Sequence, residues 1–141
     1  MELLSFNDLE IIRETLSNIE KSVSLLLEWN ETLESPDEWL ASPLGMQKLA
    51  GNCMLIEAVG EAVKKIEKRA GSEFLNQRSE IPWRDVMSMR NHIAHGYFEL
   101  DESYVFSVIK NDLEPLDEAV KFLIAEVDRM LVEKEVDEHQ S

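Results

Sequence analysis

The sequence predicts an all-α protein, an antiparallel bundle of three long helices and one or two short ones. Three observations carry this: apolar residues recur at alternating spacings of three and four over separate stretches, cap and breaker residues bound each stretch, and the connections are short. No internal repeat or low-complexity segment disturbs the pattern.

The first long helix opens on a capping-box-like Asn7 and Glu10, carries Leu9, Ile12, Leu16, Ile19, Val23 and Leu26, and runs to about Leu33. Ser35-Pro36-Asp37-Glu38 is a fresh start signal, with Ser35 as N-cap, and places Trp39 and Leu40 on a short connecting helix or turn. Ser42-Pro43 starts the second long helix, whose stripe is Leu49, Cys53, Ile56, Gly60, Val63 and Ile66. Lys68 and Arg69 fall in its last turn, and Gly71 suits the left-handed position beyond it. Pro82-Trp83 starts a shorter helix along Val86, Met89 and Ile93, with Gly96 as terminator; Leu100 to Ile109 is read as helical. Asn111-Asp112-Leu113-Glu114-Pro115 resets the chain, and Leu116, Val120, Leu123, Val127 and Met130 line the last long helix. One domain is expected over residues 1–132, with a frayed charged tail over 133–141.

With 141 residues, one core is the natural expectation. Cys53 is the lone cysteine and sits in an apolar helical stretch, which excludes a disulfide framework and a cysteine metal cluster and assigns it to the core. Met1 to Asp8 has neither a basic nor a sustained apolar segment of a leader, and no run reaches membrane-span length, so a cytoplasmic protein is expected. The net charge of −15 opposes general coating of nucleic acid. The charge is uneven: Lys48 to Tyr97 holds about 8 basic and about 6 acidic residues, net about +2, leaving about −17 elsewhere.

The sharpest local feature is Arg90-Asn91-His92-Ile93-Ala94-His95-Gly96-Tyr97. A histidine moves protons near pH 7, an arginine holds two phosphate oxygens, and an amide or phenol orients the reacting group. Those are the parts of a ribonuclease that needs no metal. The ribose 2′-hydroxyl would attack the adjacent phosphate with His95 as acid or base and Arg90 neutralising the developing charge, leaving a 2′,3′-cyclic phosphate; DNA would not be cut. On a regular helix, residues five apart lie about 140° from each other around the axis, so Arg90 and His95 would not share a face. Either the helix ends between them or two copies of the motif meet across a dimer; Asn91 and His95 share a face if the helix continues. No phosphate-cradling glycine loop, nucleophile elbow or zinc pattern competes, and no metal or cofactor is expected.

The run from Met89 to Phe98, preceded by Ile81-Pro82-Trp83-Arg84, resembles the R-N-x-x-x-H-x-Y signature of HEPN proteins, specifically the HepT-like toxins. Val59-Gly60-Glu61-Ala62 is similar to that family's I-G-E-A segment, and Lys110 to Leu116 to its later D-L-P-x-L stretch; the likeness extends from about Met46 to Leu123. The resemblance implies a HEPN-like helical homodimer with R-x-x-x-x-H motifs lining an RNA-cleaving cleft. Arg90 and His95 carry over as catalytic, Asn91 and Glu61 as supporting residues. Tyr97 corresponds to the tyrosine adenylylated by an MNT-type nucleotidyltransferase antitoxin. RNA, the antitoxin and a second copy are thus the expected partners, with no DNA and no membrane. Gly96 stands where many relatives carry an acidic residue, and the stretch before Met46 is too generic to align. The alternative is a non-catalytic HEPN subunit that binds a nucleotidyltransferase.

Overall fold

The structure, a computed structural model, describes residues 3–94 and 99–140. Its helices are α1 (Phe6–Trp29), α2 (Asp37–Leu40), α3 (Pro43–Ala70), α4 (Ser72–Leu75), α5 (Trp83–Met87), α6 (Met89–Ile93), α7 (Glu102–Ser107) and α8 (Leu113–Gln140). The three long helices are those expected, but the connections between them hold five short α-helices among the described residues rather than one or two. α1 packs against both α3 and α8, and its six-residue stripe is buried as read from the spacing.

α1 begins earlier than the Asn7 expected to cap it. Ser5 Oγ accepts from the Asp8 amide at 3.0 Å and the Asp8 carboxylate accepts from the Ser5 amide at 3.2 Å, a reciprocal box two residues upstream. Asp8 also pairs with Arg69 at 2.8 Å, which ties this cap to the end of α3. α1 stops at Trp29 instead of about Leu33, because Asn30 turns its amide inward. Its Nδ2 donates to Leu26 O at 2.7 Å and to Asn52 Oδ1 at 2.9 Å, and Asn52 Nδ2 donates back to Asn30 Oδ1 at 3.1 Å. These two are the buried polar side chains among the described residues, and each satisfies the other. Lys110 Nζ donates to the Asn30 carbonyl at 3.1 Å and fastens the far side of the bundle to the same corner.

Glu38 accepts from the amides of Glu34 and Ser35 at 2.8 and 2.9 Å and closes the short α2, with Trp39 buried, although the cap position falls on Pro36 rather than on the expected Ser35. Ser42 Oγ accepts from the Gly45 amide at 3.0 Å and Pro43 opens α3. Gly71, with φ 88°, ends it in the conformation a side chain disfavours.

Two readings of the second half change. The single helix expected through Ile93 is two, broken at Ser88, whose hydroxyl donates to Arg84 O at 3.0 Å and whose amide reaches Arg84 O and Asp85 O at 3.2 Å. The reset expected at Asn111–Pro115 is no break: α7 passes into α8 through a π turn at Val108–Asp112, with the Leu113 amide donating to Val108 O. Pro115 explains the turn, since it lacks an N–H and its ring crowds the carbonyl four residues back. α8 then continues through the charged tail to Gln140. No helix among the described residues is long and apolar enough to cross a membrane.

Candidate active site

The motif helix is held from below. Trp83, Val86 and Met87 of α5 and Met89 and Ile93 of α6 are buried, and both short helices rest on α3. Their approach is close at Gly60, where an added Cβ would lie 2.8 Å from Val86 O. The glycine that resembles a family position therefore has a steric reason: only a missing side chain lets the α5 backbone sit on α3. Trp83 Nε1 donates to Arg78 O at 3.0 Å and fixes the start of the same unit.

With Met89 and Ile93 turned inward, Arg90, Asn91 and His92 face solvent. The helix ends at Ile93: Ala94 is extended (φ −130°, ψ 129°) and forms an antiparallel bridge with Leu100, while the Asp101 amide donates to Ile93 O at 2.7 Å. Of the routes left open by the spacing, the described residues fit the one in which the helix ends after Arg90 and short of position 95. His95, Gly96, Tyr97 and Phe98 lie outside the described residues. The Arg90 side chain is exposed, and among the described residues no hydrogen bond or ion pair is made to its guanidinium. Glu61, exposed on α3, pairs with Lys64 at 3.0 Å and has no hydrogen bond to Arg90 or Asn91.

Sequence reasoning missed the neighbouring groups. The His92 ring lies against Tyr104 with centroids 5.2 Å apart and planes inclined at 35°. Tyr104 in turn lines a cavity of about 250 Å³ between α5, the π turn and the start of α8, along with Asp85, Met89 and Asp112. Burial, then the carboxylates of Asp112, Asp85 and Asp101, pushes the Tyr104 hydroxyl up and keeps it protonated. Partial loss of water, then Asp85, raises the Asp112 carboxyl. Tyr104 to Ile109 reads from the sequence only as part of a helical stretch, and nothing in its residues signals a cavity.

A model of the family described as ribonuclease HepT-like matches residues 19–123 of this chain. The chain belongs to the HepT-like ribonuclease family. The match reaches well upstream of Met46 and takes in the second half of α1, whose residues are too generic to carry the resemblance by themselves. Among curated relatives, the "Probable ribonuclease HepT" of Thermococcus cleftensis is 34% identical over 61 residues, 43% of this chain and 52% of that protein. A protein of Caldanaerobacter subterraneus named as a candidate RNase is 30% identical over 69 residues, 49% of this chain and 58% of its own. A Methanocaldococcus jannaschii protein, whose name joins a gamma-glutamylcyclotransferase to a candidate RNase, is 26% identical over 114 residues, 81% of this chain and 48% of its own. The chain thus spans about half the length of the relatives it matches. No solved structure matches it significantly.

Proposed function

We propose that this HepT-like chain cuts RNA without a metal ion, at a site built from Arg90 and His95. The observation that carries the reading is the exposed Arg90 on a helix that stops three residues later, two positions short of the motif histidine in the sequence. Arg90 would hold the phosphoryl oxygens as their charge grows, and His95 would take the 2′-hydroxyl proton or protonate the leaving 5′-oxygen. Asn91 would help orient the phosphate. Glu61 would act at one remove, through the position it gives Lys64. A second copy would complete the cleft, since one small domain offers little enclosed surface beside an exposed arginine. The Tyr97 hydroxyl would be the regulatory handle: a nucleotidyltransferase that adenylylates it adds a bulky anion beside the phosphate site and silences the chain.

The test is cleavage of a labelled single-stranded RNA in excess chelator, with the oligomeric state followed by sedimentation. Wild type is expected to leave 2′,3′-cyclic phosphate ends as a dimer, and Arg90→Ala and His95→Ala to fall at least 100-fold while remaining folded dimers. RNA left intact by the clean wild-type dimer would overturn the reading.

A further inference from the structure

The cavity beside the motif has features that phosphate binding does not use. Its walls are mostly apolar, from Ile81, Pro82 and Val86 on one side to Val108, Leu113 and Leu116 on the other. Asp85 and Asp112 stand at its rim, both partly open to water and neither paired with a cation among the described residues. Met89, the residue before Arg90, lines it, as does Tyr104, whose ring packs against His92 on the helix that carries the motif. A volume of about 250 Å³ suits a single flat heterocycle rather than a larger ligand. Tyr104 offers an unstacked base an aromatic surface, and the exposed Arg90 follows the cavity-lining Met89 in the chain.

We propose that this cavity seats one base of the RNA beside the scissile phosphate and selects guanine, with Asp85 and Asp112 reading the base edge and Tyr104 completing the contact. The proposal rests on the cleavage reading only for its substrate. Guanine presents two adjacent donors, N1–H and the N2 amino group, which a carboxylate with two acceptor oxygens can take together. Adenine and cytosine each present one donor beside an acceptor, and uracil one donor between two carbonyls, so each would leave a carboxylate facing a lone pair. Tyr104, held protonated by its surroundings, offers the donor that guanine O6 requires.

The experiment titrates the full chain with guanosine, adenosine and N-acetyl-arginine amide, none of which carries a phosphate, and reads binding by calorimetry and ligand-observed NMR. Guanosine is expected to bind roughly tenfold or more tightly than adenosine, and Asp85→Asn and Asp112→Asn each to erase that ratio with unchanged melting. Asp85 is exposed, so its amide variant leaves the core untouched. Equal binding of the two nucleosides, no binding of guanosine, or tighter binding of the arginine probe, which would mark a docking point for a partner's basic side chain, overturns the proposal. The two readings separate cleanly. RNA cut while guanosine fails to bind removes the base pocket and leaves the nuclease; guanosine bound by a chain that cuts nothing does the reverse.

Discussion

Cys53 sits on α3 with Glu57 close by, and burial first, that carboxylate second, pushes its thiol up from 9.0 to about 11. The fold therefore favours the neutral thiol. Below pH 9 neither state ionises and nothing is lost; between about 9 and 11 the unfolded chain gives up the proton while the folded chain keeps it, and stability falls by up to about 1.4 kcal/mol per pH unit. Cys53→Ala is expected to flatten this alkaline slope, seen by comparing urea midpoints of the two proteins at pH 8 and pH 10.5. The same burial assigns Cys53 to packing, as the sequence suggested, and predicts a native thiol that reacts with disulfide reagents far more slowly than after denaturation. Arg90 is the opposite case, an exposed side chain with no hydrogen bond or ion pair among the described residues, so Arg90→Ala is expected to change stability by no more than about 0.5 kcal/mol while cleavage falls at least about 100-fold.

At the scale of elements, the contact of α3 with α5 decides where the motif sits. Gly60→Ala would thrust a methyl into Val86 O, a backbone atom that cannot rotate away, so α5 must shift. A loss of about 1–3 kcal/mol is expected in thermal or urea melts, with cleavage reduced further than the lost stability explains because α6 moves with α5. The long helices were legible because burial there follows one period: every stripe residue read for α1 and α3 is buried. Strong punctuation was legible too, as Ser42-Pro43 and Gly71 show. What escaped was decided by competition among polar groups. Ser5 and Asn7 are both good caps, each with a carboxylate three residues on, and what sets Ser5 apart is tertiary: its partner Asp8 also pairs with Arg69 at the end of α3. Ser88 breaks a helix with a hydroxyl that elsewhere sits harmlessly on a helix, and Asn30 ends one because Asn52 waits across the bundle. The site was half legible. Arg90 and its helix could be read from residue chemistry, whereas Tyr104, Asp85 and Asp112 come together only through a turn that Pro115 imposes from beyond it.

For the whole molecule, charge and packing set different rules. With a net charge of −15 the folded chain repels itself, yet the segment around the motif is close to neutral and slightly basic. Salt should therefore act with two signs. Raising it from about 20 to about 300 mM is expected to raise the melting temperature by screening the acidic surface, and to slow RNA cleavage by weakening phosphate capture. Calorimetric melts and cleavage rates over one salt series check both; a cleavage rate indifferent to salt would argue against a phosphate contact at Arg90. The extent of the family match agrees with this division, since residues 19–123 take in α3, the motif and only the start of α8, leaving the acidic end of that helix outside.

The reciprocal amide pair of Asn30 and Asn52 sorts correct from incorrect assemblies of the bundle. Leucines and isoleucines at spacings of three and four would tolerate α1 sliding one turn along α3, because hydrocarbon meets hydrocarbon in either alignment. The two amides do not tolerate it. A slide of one turn, about 5.4 Å, strands both in hydrocarbon at a cost of about 1–3 kcal/mol each, so the native alignment is chosen by a penalty placed on its rivals more than by any added strength. Because Lys110 closes on the same corner, that choice extends to the π turn and so to the shape of the cavity beside the motif.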